Sequence, residues 1–169
     1  MNILDIAKQR FSARAYLDKE IPQDVLDTIL EAAHVAPSAA NQQPVRLLVV
    51  KSDEAKEKLA KGANIYNAPV AVIVCADSTK SWQRPYDGKK STDIDASIIT
   101  DHMMLTATEL GLGSIWICFF EPDVVKKEFN FPANLEPINI LALGYTNQKA
   151  DSNRHDTQRI SREELIAYI

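Results

Sequence analysis

Glycine and cysteine are scarce in this sequence: among 169 residues there are five Gly and two Cys. The glycines are not spaced as a phosphate-binding loop or a dinucleotide fingerprint requires, since both motifs use clustered glycine to bring backbone N–H groups against phosphate. Cys75 and Cys118 stand apart, each within an apolar segment. No Cys-x-x-Cys or Cys/His spacing accompanies them, which excludes a zinc site and dithiol exchange and predicts two buried, reduced thiols. His34, His102 and His155 occur in unlike contexts with no nucleophile motif nearby, so triad hydrolysis is disfavoured. His102 is expected to make a polar contact at an interface rather than act as a base. Basic charge is not in excess either: 19 Lys and Arg against 23 Asp and Glu give a formal net charge of -4, spread along the chain. Nucleic acid is therefore not an expected partner. No apolar run approaches the ~20 residues that span a bilayer. The amino terminus lacks the basic, apolar and small-residue sequence of a leader, so no membrane is expected and the chain reads as cytoplasmic.

What is present suffices for a core: 46% of residues are hydrophobic and 25% charged. At this length one domain, residues 1–169, is expected. Residues 3–10 place Ile3, Ile6, Ala7 and Arg10 on one helical face. Pro22 suits the first turn of a second helix, striped by Val25, Leu26, Ile29, Leu30 and Ala33 and stopped by Pro37. Residues 45–50 and 70–76 are β-branched apolar runs flanking a charged, helix-prone stretch at 53–61 and read as core strands. Residues 77–92 have no period and form a loop of functional length, a candidate lid. Residues 93–110 are apolar on most sides, the pattern of a helix buried in a core or a dimer interface. Gly111 and Gly113 end it; a strand at 114–119, a short helix at 122–129 and a strand at 138–143 follow. Residues 146–158 are polar and irregular, and Ser161-Arg162-Glu163-Glu164 fits a capping box before an amphipathic end.

Three clusters could carry chemistry. Arg10-Phe11-Ser12-Ala13-Arg14 sets two guanidinium groups and a hydroxyl on alternate residues of an extended turn, a fit for an anion; a plain helix terminus explains the same residues. Pro37-Ser38-Ala39-Ala40-Asn41-Gln42-Gln43-Pro44 joins a helix to a strand. Its amides could read the edge of a heterocycle, or simply close a self-bonded turn. Gly111-Leu112-Gly113-Ser114-Ile115-Trp116-Ile117-Cys118 leads out of the long helix and could lay flat surface against a ring or only pack the core, Trp116 serving either role. Arg159 is a surface residue by default and an anion ligand if the tail folds back.

In order and spacing these clusters resemble the nitroreductase family of flavin-mononucleotide oxidoreductases, whose Arg-x-Ser-x-Arg and Pro-Ser-x-x-Asn-x-Gln-Pro motifs match residues 10–14 and 37–44. Leu143-Gly144-Tyr145, residues 111–117 and a terminal Arg before Glu-Glu-Leu match as well. The resemblance implies an α+β fold, a three-layer α/β/α arrangement with a central mixed, mainly antiparallel sheet flanked by helices. It implies FMN as cofactor, NADH or NADPH as electron donor, a nitroaromatic, quinone or similar small acceptor, and an intertwined homodimer with the flavin at its seam. Arg10, Ser12 and Arg14 would hold the phosphate, ribityl chain and pyrimidine edge, Phe11 would contribute backbone, and Arg159 would complete the phosphate site. Pro37, Ser38 and Asn41 would come from the other subunit. Ile117 and Cys118 would lie by the reactive edge of the ring, with Asn64 a further contact. Many members carry Gly where this chain has Cys118 and Phe119, and the lid at 77–92 is short. A flavin carrier or redox-responsive binding protein without NAD(P)H turnover is the alternative.

Overall fold

Helices and strands alternate along the chain in a computed structural model that describes residues 2–151 and 153–169. Helix α1 (Ile3–Gln9) starts where Asn2 accepts the Asp5 N–H at 3.0 Å. Helix α2 (Gln23–His34) follows Pro22 and buries Leu26, Ile29 and Ala33 on one stripe. Strand β1 (Val45–Val50) leads to helix α3 (Asp53–Ala60), capped by Ser52, whose hydroxyl accepts the Ala55 N–H at 3.2 Å. Strand β2 (Val70–Asp77), helix α4 (Thr92–Glu109), strand β3 (Gly113–Ile117), helix α5 (Pro122–Glu128) and strand β4 (Leu135–Gly144) complete the main body. Two single turns, α6 (Arg154–Thr157) and α7 (Arg162–Leu165), close the chain. The N-cap half of the predicted capping box forms at α7, where the Ser161 hydroxyl accepts the Glu164 N–H at 3.1 Å.

The four strands form one sheet in the order β1-β2-β4-β3, every neighbouring pair antiparallel. The expected mixed character reduces to one isolated parallel bridge, Ser12 to Ser114. The central strands β2 and β4 are the near-continuous apolar runs, because both of their faces are covered. Val70, Val72, Val74, Leu141 and Leu143 meet α2 and α4 on one side; Ala71, Ile73, Ile140 and Ala142 meet α3 and α5 on the other. Burying each such Val, Leu or Ile contributes roughly 1.5–3 kcal/mol, and this double burial fixes the three-layer α/β/α arrangement. Among the described residues no helix is long and apolar enough to cross a membrane.

Two expectations are corrected. Strand β4 starts at Leu135, three residues before the predicted start at 138, because the register shifts between Val74 and Cys75 and that irregularity accommodates Pro137, the kind of place where a strand tolerates proline. Cys118 is exposed, although Cys75 is buried as expected: β3 ends at Ile117, and the chain leaves the sheet so abruptly that Phe119 is 98% exposed.

Candidate functional site

Arg10 is the C-cap of α1 with extended backbone (φ -55, ψ 130), so the residues after it run as a strand-like segment. The Ala13 N–H donates to the Ser114 carbonyl at 2.9 Å and the Leu17 N–H to the Tyr145 carbonyl at 2.8 Å, laying residues 12–17 along β3 and past the end of β4. Two glycines permit this close approach. A Cβ on Gly113 would lie 2.9 Å from the Ala13 Cβ and 2.6 Å from the Thr146 Cγ2, and one on Gly144 would lie 2.7 Å from both the Tyr16 ring and Pro69. With Ala13 fully buried, the alternate residues Arg10 and Ser12 stay half-buried and Arg14 exposed. The Arg14 N–H donates to Gln148 Oε1 at 2.7 Å. Burial raises the Tyr16 phenol above its ordinary pKa; its hydroxyl donates to the Ala13 carbonyl at 3.0 Å, bracing the same segment.

The tail does fold back. Arg154 Nη2 donates to the carbonyls of Lys8 and Arg10, the latter at 2.9 Å, while its Nη1 donates to the Asp151 carbonyl at 3.0 Å. His155 Nε2 lies 3.1 Å from the Lys8 carbonyl. The free carbonyls at the C-terminal end of α1 are thus capped by cationic and polar side chains, the arrangement the helix dipole favours. The fold-back brings Arg159 to Arg10: both line a cavity of about 480 Å³ together with Leu4, Ala7, Asp101 and Met104. Burial, followed by repulsion from Arg154 and Arg159, lowers the Arg10 pKa, against an opposing pull from Asp101. Arg10 and Arg159 share the cavity lining with a single carboxylate, Asp101, which leaves positive charge in excess, and forked donors of this kind match phosphate oxygens. The donor set therefore fits the anionic end of a flavin mononucleotide.

Residues 37–44 form a turn with left-handed backbone at Ala40 (φ 48), Asn41 (φ 53) and Gln43 (φ 48). Such φ values on non-glycine residues cost energy and persist only where surroundings enforce them. The Ser38 hydroxyl accepts the Gln43 N–H at 3.0 Å, and Gln43 Nε2 donates to Asn41 Oδ1 at 3.1 Å, so the self-bonded turn also exists. Pro37 and Asn41 are exposed and Ser38 is half-buried. Among the described residues no hydrogen bond joins this turn to residues 10–14 of the same chain. Asn64 shapes another turn, its Oδ1 accepting the Tyr66 N–H at 2.8 Å. It lines a depression of about 260 Å³ with Gly62, Phe119, Phe120 and Glu121, beside the exposed Cys118 and just past buried Ile117. The structure thus groups Arg10 with Arg159, Ser12 with β3, and Asn64 with the end of β3, and leaves Pro37, Ser38 and Asn41 apart.

A profile of the nitroreductase family matches residues 7–65 and 59–145, the stretch that holds the extended segment, the strained turn and the whole sheet. The chain belongs to the nitroreductase family. Within it, a putative NADH dehydrogenase/NAD(P)H nitroreductase of Methanothermobacter thermautotrophicus is 33% identical over 158 residues, covering 86% of this chain and 78% of the relative. The crystal structure of a nitroreductase family protein from Clostridium difficile superimposes with a TM-score of 0.97 at 49% identity, over 99% of this chain and 98% of that one. An FMN-dependent nitroreductase from Clostridium difficile R20291 superimposes with a TM-score of 0.75 at 28% identity, over 95% of this chain and 99% of that one.

In this nitroreductase-family chain two residues bonded to the candidate segments, Arg154 to the Arg10 carbonyl and Asp95 to the Ala39 N–H, carry no local sequence motif. Arg154 lies in the tail read as irregular, where no periodicity marks it; its only signal is a position five residues before Arg159. Asp95, fully buried in α4, is hidden by the apolar residues around it. Trp116 resolves toward the core, half-buried against the cluster under α2 and α4. His102 Nδ1 contacts the Ile98 carbonyl at 2.8 Å, a local helix contact.

Proposed function

We propose that this protein is an FMN-dependent oxidoreductase in which NADH or NADPH reduces bound FMN and a nitroaromatic, quinone or similar small acceptor takes the electrons. One observation carries the reading: Arg10 and Arg159, far apart in sequence, share a cavity, and Arg154 sits against the Arg10 carbonyl. The names of two family relatives, a putative NADH dehydrogenase/NAD(P)H nitroreductase and an FMN-dependent nitroreductase, support the same cofactor and donor. When bound, FMN supplies the electron-transfer chemistry, so no side-chain acid or base is obligatory.

The protein's part is to bind and orient. Arg10, Ser12 and Arg14, with Phe11 backbone and Arg159, would hold the phosphate, ribityl chain and pyrimidine edge. Ile117 and Cys118 would border the ring, and Asn64 would close that side. Pro37, Ser38 and Asn41 would reach the flavin of a second copy, residues 1–169 acting as one flavin-binding domain in a homodimer. Two features support the dimer: the turn at 37–44 is not bonded to residues 10–14 of its own chain, and the two ends of the chain expose Ile3, Leu4, Ile160, Leu165 and Tyr168, apolar surface that an isolated chain would leave in water. A cytoplasmic setting belongs to the same reading, because an oxidising compartment disfavours an exposed unpaired thiol such as Cys118.

Reconstitution with FMN tests the proposal. A yellow dimer whose flavin absorbance is bleached anaerobically by NADH or NADPH and restored by a quinone is expected. Protein that takes up no FMN removes the reading; bound FMN that neither donor bleaches replaces the enzyme by a carrier.

A further inference from the structure

The strained turn at 37–44 and the candidate lid, expected at 77–92 and shortened to 78–91 because β2 keeps Asp77 and α4 begins at Thr92, are fastened to each other at both ends. At one end the Asp77 N–H, where the lid begins, donates to the Pro44 carbonyl at 2.9 Å. At the other, Asp95 serves both segments: its Oδ1 accepts the Ala39 N–H at 2.8 Å and its Oδ2 accepts the Ser91 hydroxyl at 2.7 Å. Asp95 is fully buried. A carboxylate withdrawn from water is costly unless hydrogen bonds and local dipoles replace its hydration. Here the first turn of α4 supplies the favourable end of a helix dipole, and the two bonds supply the rest. Three left-handed residues follow within four positions of Ala39, so the bond to Ala39 holds the backbone where the strain starts.

We propose that Asp95 is a positioning residue of the flavin site, which fixes the turn carrying Ser38 and Asn41 in its binding conformation and ties that turn to the lid. The proposal rests on the reading that this turn contacts FMN. Asp95 is fully buried and spends its two oxygens on Ala39 and Ser91, so it acts through the backbone of Ala39. Because the turn would serve a site whose phosphate is held by Arg10 and Arg159, loss of Asp95 affects contacts other than those to the phosphate.

The test compares FMN and riboflavin affinities, by fluorescence titration of the full chain, in wild type, Asp95→Ala and Asp95→Asn. Asp95→Ala is expected to weaken both ligands by about tenfold or more, leaving their ratio unchanged, as loss of a bond to a charged group predicts. Asp95→Asn, which keeps an oxygen for the Ala39 N–H, is expected to recover affinity to within about threefold of wild type, the smaller loss of a neutral acceptor. Wild-type affinity in Asp95→Ala, or a loss confined to FMN, overturns the proposal. Should Asp95→Ala fail to fold, amide exchange in the wild-type protein decides: the Ala39 N–H is expected to be protected before FMN is added, and fast exchange that slows only on binding overturns the proposal. A wild-type protein that binds no flavin instead removes the functional reading itself.

Discussion

The Arg154 guanidinium donates to the Arg10 carbonyl at 2.9 Å, across 144 positions of sequence. That bond converts a polar tail into a wall of the cationic cavity: it spends Arg154 on backbone carbonyls and brings Arg159 beside the Arg10 side chain. Arg154 acts as a latch, and the two arginines it gathers remain available to an anion.

Replacing Arg154 by Ala is therefore expected to weaken FMN by roughly 10- to 100-fold, about 1.4–2.8 kcal/mol, while riboflavin, which lacks the phosphate, is hardly affected. Arg154→Lys should not rescue, because an ammonium cannot reach two carbonyls with a planar fork. Arg10→Ala should cost about 1.5–3 kcal/mol of FMN binding by direct loss of a charge-assisted bond. Parallel titrations with FMN and riboflavin check all three; equal losses for both ligands would contradict the phosphate assignment.

Gly113→Ala should destabilise the fold by about 1–3 kcal/mol, the usual cost of overpacking. Its new Cβ would meet Thr146 Cγ2 at 2.6 Å and Ala13 Cβ at 2.9 Å. Since Ala13 lies between Ser12 and Arg14, the same change should push the segment proposed to bind the anion off β3 and weaken FMN. Chemical denaturation and FMN titration of one sample measure both effects.

Asp77 gives a pH prediction. Hydrogen bonds from Thr79 and Asn134 hold its carboxyl down at about 2, below the ordinary 3.8. Thr79 Oγ1 and N–H both donate to it, at 2.6 and 2.9 Å. A folded-state pKa depressed in this way means that the contribution to stability is fully present above the ordinary value and lost as pH falls from 3.8 toward 2. Asp77→Asn should thus be less stable than wild type at neutral pH by a gap that closes across that window. Thermal unfolding of both proteins from neutral pH down to pH 2 follows it, and a gap that widens with acid would refute the assignment.

Subunit complementation tests the seam. On the proposed reading, Arg10→Ala is expected to damage a site in its own chain and Asn41→Ala the site of the second copy. Chains carrying one change each, co-expressed and purified as a mixed dimer, should combine one doubly damaged site with one intact site and bind half the wild-type FMN at wild-type affinity. Titration of two damaged sites and none intact would place both residues in a single-chain site.

Most of the fold was legible in residue patterns. The stripe of Leu26, Ile29 and Ala33 gave α2, and the uninterrupted apolar run of β2 marked a core strand, which the structure covers on both faces. Pro137 hid the start of β4, because a breaker inside a strand is tolerated only where pairing is already irregular, and irregular pairing is a property of two strands together. The candidate residues at 10–14 and 37–44 could be picked out because their chemistry clusters locally in the sequence. Arg154 and Asp95 could not, since a guanidinium that caps a distant helix and a carboxylate that caps a distant turn have ordinary neighbours in sequence.

The sequence by itself determined where most of the helices and strands lie, that the runs at 45–50 and 70–76 are core strands, and which residue types could meet an anion or a ring. These follow from periodicity, turn chemistry and side-chain donors, all of which act over a few residues. Only the tertiary structure decided that the tail returns to α1, that Arg159 meets Arg10, and that the turn at 37–44 is anchored on α4 rather than beside residues 10–14. Those outcomes depend on hydrogen bonds between groups far apart along the chain, whose partners are chosen by how the packed layers bring them together.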